Sequence, residues 1–161
     1  MYDGNPNVDE NGYIYAKWKI APNTYIIGYH GTMYAYLFIG TEKALLIDTF
    51  YGYGDLRKFV EDLAGMPVMV ANTHGHFDHT GGNAFWEHVY ISAEGQKDMK
   101  NTFGEEHQKR FEAMPHPDYT ATTIGDGYIF DLGGRTVEVI DIPCHHAGSV
   151  AFLDSQTGFL C

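Results

Sequence analysis

The sequence predicts a layered α/β domain, and three features predict it. Short strand-like runs recur along the 161 residues, bounded by Gly-containing turns. Amphipathic helical stretches lie between some of them. Two histidine-rich segments each follow directly on a strand-like run, which sets polar side chains at strand ends.

The strand-like runs are 24–29, 33–39, 43–48, 68–72, 89–92, 128–131, 135–141, 150–154 and 157–161. Turns at His30-Gly31 and Ile39-Gly40 join the first three as a meander, and Leu132-Gly133-Gly134 and Asp154-Ser155-Gln156 read as hairpin turns. Leu56, Phe59, Val60 and Leu63 recur at helical spacing and predict a helix over 55–63. Further helices are expected over 93–100 and 105–114, the second ended by Pro115 and Pro117. Residues 1–23 read as a polar extension and lead-in, and 24–161 as the domain.

Composition narrows the function. With 44% hydrophobic and 19% charged residues the chain can bury a core and is not disordered. Ten Lys and Arg face 21 acidic residues, a net charge of -11, with no basic cluster longer than Lys109-Arg110. Nucleic-acid binding, which needs a basic surface, is disfavoured. Cys144 and Cys161 do not form a disulfide framework. No apolar run reaches the length of a membrane span, and the polar start over 1–10 resembles neither a signal peptide nor an anchor, so a cytoplasmic protein is expected.

The segment Thr73-His74-Gly75-His76-Phe77-Asp78-His79-Thr80-Gly81-Gly82-Asn83 carries the chemistry. Imidazole nitrogen with added carboxylate oxygen suits zinc, and iron or manganese also accept such ligands. In extended chain, residues two apart share a side, so His74 and His76 can meet on one ion, with Gly75 relieving the backbone between them. Asp78 and His79 diverge from that pair and suit a second ion. Gly81-Gly82-Asn83 is expected to turn the chain, with Asn83 as N-cap of a short helix over 84–87. A second cluster, Pro143-Cys144-His145-His146-Ala147-Gly148-Ser149, offers a third ligand to the first ion from either His145 or His146. Three protein ligands leave a position for water, the arrangement of a catalytic zinc site. Asp48, at a strand end, suits two roles: fixing the tautomer of a ligand histidine or capping its own loop. His30 lies in a hairpin turn whose Tyr29 and Met33 suit flanking a substrate, though turn exposure explains it equally well; His88, His107 and His116 lack ligand spacing, and Glu105-Glu106 reads as a solvated helix start.

His74-x-His76-x-Asp78-His79 followed by Gly81-Gly82-Asn83 resembles the signature of the metallo-β-lactamase-fold hydrolases. Pro143 to Ser149 is similar to that family's Pro-Gly-His-Thr-Pro-Gly-Ser loop, with Cys144 and His146 in place of the usual glycine and threonine. Ala44-Leu45-Leu46-Ile47-Asp48-Thr49 resembles its early strand ending in aspartate. The resemblance implies an αβ/βα sandwich. It assigns His74, His76 and His145 to a first metal and Asp78 and His79 to a second, with one or two zinc ions as cofactor. It also implies a hydrolase whose metal-bound hydroxide attacks a lactam, thioester or other ester of a small-molecule substrate, with Asp78 as catalytic residue. The family's bridging aspartate falls just beyond a strand like 157–161, so the domain is expected to be interrupted after the strand ending at Cys161, inactive or weakly active, and inclined to self-associate as a homo-oligomer. Alternatives are a non-catalytic metal-binding or self-assembling fragment and a di-iron oxidoreductase. The latter usually carries a carboxylate where this chain has His76.

Overall fold

In the computed structural model, which describes residues 14–99 and 104–161, seven strands form one mixed sheet in chain order. These are β1 (Ala16–Ala21), β2 (Thr24–Tyr29), β3 (Met33–Ile39), β4 (Ala44–Ile47), β5 (Val68–Ala71), β6 (His88–Ser92) and β7 (Thr120–Ile124). The first four run antiparallel, β2 to β4 being the predicted meander, and β4 to β7 run parallel. A second, antiparallel sheet contains β8 (Ile129–Asp131), β9 (Thr136–Asp141) and β10 (Val150–Asp154), with β9 central. The helices are α1 (Leu56–Ala64), α2 (Phe77–Thr80), α3 (Ala93–Asp98) and α4 (Glu105–Glu112). Among the described residues no helix is long and apolar enough to cross a membrane.

Period-two alternation sorts the sheet's side chains into two cores. Leu37, Ala44, Leu46, Val68 and Val70 point to one side, where Leu56, Phe59 and Val60 of α1 cover them. Phe38, Leu45, Ile47 and Ala71 point to the other, against Phe130, Val137, Val139, Val150 and Phe152 of the second sheet. All four residues of β4 are therefore buried, as a central strand covered on both faces requires. Helix α1 starts at Asp55, whose carboxylate accepts the Lys58 N–H at 3.0 Å, and stops at Gly65 in the left-handed conformation.

The structure departs from the sequence reading at several elements. The sheet begins at Ala16, upstream of the boundary expected at residue 24, and β7 also went unpredicted. Both are edge strands. In β1, Ala16, Trp18 and Ile20 alternate with Lys17 and Lys19, but five of its six residues are exposed, and β7 is rich in threonine, so neither buries a clear apolar face. Residues 157–161 form a single bridge, Leu153 to Leu160, beside β10 rather than a full strand. Gly158, at φ +69°, bends the segment. Helix α3 stops at Asp98 and α4 at Glu112, while Lys100 lies outside the described residues. Gly82, not Asn83, caps the turn at Asn83–Phe85. Asn83 is fully buried, donating to Asn72 Oδ1 at 2.8 Å and accepting from Thr49 Oγ1 at 2.8 Å.

One ion pair ties the layers together. Arg135, at the start of β9, donates to both Asp154 oxygens at 2.6 and 2.9 Å, and both side chains are fully buried. Its other bonds go to the Asn23 carbonyl in the β1–β2 turn and to the Ile39 carbonyl and Thr24 Oγ1 of the larger sheet. Burial alone would raise the Asp154 carboxyl. Hydrogen bonds from Arg135 and Thr157, with the guanidinium charge, outweigh it and hold the group below the usual range.

Arg135→Met should cost about 3–5 kcal/mol at neutral pH by urea denaturation, because it leaves Asp154 buried without its counter-charge. The stabilisation held by Asp154 is complete above its unfolded pKa of about 3.9 and is lost as pH falls through the depressed native value. Acid should therefore narrow the gap between the two proteins.

Candidate metal centre

Strands β4 and β5 are parallel, so both deliver their C-terminal ends to the same edge of the sheet. Asp48 follows β4, and the loop from Asn72 to His76 follows β5. The two meet at the Asp48 carboxylate. Its Oδ1 accepts the Thr73 N–H, and its Oδ2 accepts from Thr73 Oγ1 and His79 Nδ1, each at 2.8 Å. Asp48 is buried and holds φ +68°, a conformation that aspartate tolerates better than most residues. Of the two roles weighed for it from sequence, the carboxylate takes the one of orienting a histidine, His79; its other bonds hold Thr73 in the neighbouring loop rather than capping its own.

This network assigns the imidazole tautomers. Thr73 Oγ1 donates to Asp48, so its remaining capacity accepts from His74 Nδ1 at 3.0 Å, which leaves His74 Nε2 without a proton. His79 Nδ1 donates to Asp48, which leaves its Nε2 free on the side of Asp78, whose Oδ2 is 3.6 Å away. Burial, followed by the charges of neighbouring imidazoles, pushes the His74 ring down to about 4 against the opposing pull of Asp48. At neutral pH His74 presents a lone pair. Burial would also lower His79, but its bond to Asp48 prevails and raises it.

His145 comes from the β9–β10 loop, drawn in where the Val150 N–H meets the Thr73 carbonyl at 2.8 Å. Its Nε2 lies 3.2 Å from His76 Nδ1, which lies 3.1 Å from His74 Nε2, and the three rings bring one nitrogen each within 4.8 Å of the others. Zinc–nitrogen bonds of roughly 2.0–2.1 Å at tetrahedral angles separate ligand nitrogens by roughly 3.3 Å. The donor set and its spacing fit such an ion. His146 does not join them. Its Nδ1 accepts the Gly148 N–H at 3.0 Å and its Nε2 pairs with Asp98 Oδ2, so both ring nitrogens are engaged elsewhere. Of the two histidines left open by spacing, His145 is the one that faces the centre.

The glycines serve closeness more than flexibility. Gly75 does not have positive φ. A β-carbon there would instead collide with the Gly95 carbonyl oxygen of α3. On the other loop, a β-carbon at Gly148 would lie 2.6 Å from both Gly95 N and Ser92 Oγ. Helix α3 is thus wedged against both histidine loops. The remaining histidines lie apart from the three. His88 bonds Thr120 and Thr122, His116 pairs with Glu87, and His30 packs on Tyr29 in its turn. His107 of α4 contacts the Phe77 ring at 4.9 Å and the Tyr51 ring at 6.1 Å, forming an aromatic wall near Asp78 and His79.

Sequence reasoning gave no role to Thr73, Ser92 or Asp98. Thr73 adjoins His74, and a serine at a strand–helix junction is a recognised cap signal, so these two had a local trace. Asp98 has none, because its partner lies far along the chain.

Comparison with known proteins identifies the family. The model of the metallo-beta-lactamase superfamily matches residues 30–160. The human acyl-coenzyme A thioesterase MBLAC2 is 26% identical over 149 residues, covering 75% of this chain and 53% of that protein. The Aspergillus novofumigatus atrochrysone carboxyl ACP thioesterase nsrC is 31% identical over 135 residues, covering 81% of this chain and 34% of that protein. The chain thus spans about half or less of these curated relatives. In structure it is similar to a Cronobacter sakazakii metallo-beta-lactamase, with a TM-score of 0.70 at 24% identity, over 89% of this chain and 60% of that one. The chain belongs to the metallo-beta-lactamase superfamily and has its α/β fold.

Proposed function

We propose that this chain carries the metal-binding part of a hydrolase that cleaves acyl thioesters. The observation that carries the reading is the convergence of His74 Nε2, His76 Nδ1 and His145 Nε2 at the spacing of ligands on one cation. The thioester class is supported by the two thioesterases among its relatives. His76 itself disfavours the di-iron alternative, which would place a carboxylate there.

Bound zinc supplies a Lewis acid that lowers the pKa of water to about 7, making hydroxide available at neutral pH. His74, His76 and His145 would hold it. Asp78, beside that cluster, would orient the attacking water and accept its proton at Oδ2. Asp48 keeps His79 in the tautomer that turns Nε2 toward Asp78. The Tyr51 and Phe77 rings, 5.1 Å apart, offer apolar surface for the acyl group. Burial, then the Asp78 charge, raises the Tyr51 hydroxyl, so this tyrosine stays neutral beside the site.

Ligand count predicts stoichiometry. The first position has three imidazoles; for the second, the reading assigns only Asp78 and His79 among the described residues. Native mass spectrometry should find one tightly held zinc per chain. His145→Ala should weaken it by more than the roughly 10–100-fold typical of changes to a ligand's hydrogen-bond partner. Two tightly held ions per monomer would contradict the count.

Thiol release from an acyl-coenzyme A tests the reaction. The weak turnover expected of the chain should stop with a chelator and return with zinc, and Asp78→Ala should slow it by about 10²–10⁴-fold. Release indifferent to both would exclude the proposed chemistry.

A further inference from the structure

His145 is exposed, whereas His74 is buried against the sheet. Packing therefore does little to place the His145 ring, and the loop around it must do so. That loop closes on itself: the His146 N–H donates to Ser149 Oγ at 3.2 Å, and the Ser149 N–H donates to the His146 carbonyl at 3.1 Å. The His146 ring folds into the turn, where its Nδ1 accepts from the Gly148 N–H. A nitrogen that accepts carries no proton in the neutral ring, so the His146 proton sits on Nε2 and is donated to Asp98 Oδ2.

Asp98 ends α3, and the Ser92 that caps the helix holds the same loop from its other end. Ser92 Oγ donates to the Gly148 carbonyl at 2.6 Å and accepts the Gly95 N–H at 3.1 Å. The loop is thus attached to both ends of one short helix. That helix also abuts the other histidine loop, since Asp98 Cβ lies 3.0 Å from where a β-carbon on Gly75 would stand. One residue therefore touches the backbone between His74 and His76 while gripping the neighbour of His145.

Resting on the metal site proposed above, we infer that Asp98 is a positioning residue for His145, acting through His146. It sets the distance between the two loops so that three nitrogens face one point before a cation arrives. His146 stands where the resembled loop usually has threonine, so the Asp98–His146 bond is not part of that pattern. Without it, the His145 loop keeps its Ser92 anchor but pivots at its ligand end. A ligand that must be ordered on binding gives a weaker, less regular site.

The test compares the wild-type chain with Asp98→Ala and Asp98→Asn by zinc competition against a chromophoric chelator and by the visible spectrum of the cobalt(II)-loaded proteins. Asp98→Ala should weaken zinc about 10–100-fold and alter the cobalt bands, reporting changed coordination geometry. Asp98→Asn keeps an oxygen that accepts the Nε2 proton and should stay close to wild type in both. Wild-type affinity and spectrum in Asp98→Ala would overturn the inference, as would Asp98→Asn failing as badly as Asp98→Ala. A wild-type chain that binds no zinc would instead overturn the site itself.

Discussion

The two histidine loops can meet only because nothing larger than hydrogen stands between either of them and α3. Gly75 and Gly148 both press on the backbone of Gly95, where a β-carbon on either would overlap main-chain atoms. Main chain cannot rotate out of the way as a side chain can, so these contacts fix distances. The helix is short, yet it fixes the separation of two segments that lie far apart in sequence. Crowding three imidazole nitrogens together brings little to a metal-free protein: neutral rings can share an N–H···N bond, but not every facing nitrogen can be paired at once, and charged forms repel. The fold accepts that cost at one place, which is the expected behaviour of a site organised for a ligand.

The second constraint is the Asp48 carboxylate. A single buried group fixes the Thr73 backbone, the Thr73 hydroxyl and the His79 ring, and through the hydroxyl it also sets the His74 tautomer. Parallel pairing of β4 with β5 brings this acid to the histidines, because only parallel neighbours end on the same edge of the sheet. The far end of the molecule has its own clamp in Arg135 and Asp154. That pair secures the smaller sheet, and with it β9 and β10, the strands that suspend the His145 loop. Packing, polar network and site geometry are thus parts of one arrangement.

Much of this was legible in the residues. The central strands announced themselves by apolar runs, and α1 by its periodic Leu56, Phe59 and Val60, because burial on a defined face constrains composition. The clustering of His74, His76 and His145 was legible because imidazoles in close spacing have few other uses. Edge strands β1 and β7 were not, since Trp18 and Ile20 of β1 are exposed along with its lysines and the threonines of β7 carry no burial signal. The choice between His145 and His146 was invisible too, because adjacent residues differ only in what their rings reach, and that depends on Asp98. Gly75 was recognised as necessary for a backbone bend, whereas its actual constraint is a helix lying against it.

The central claim is that His74, His76 and His145 hold one cation that keeps a position for water. X-ray absorption at the zinc edge of the loaded chain measures this directly. The account predicts four light scatterers near 2.0–2.1 Å, three with the outer-shell pattern of imidazole. A sulfur at about 2.3 Å, which would bring in Cys144, or fewer than three imidazoles, would contradict it.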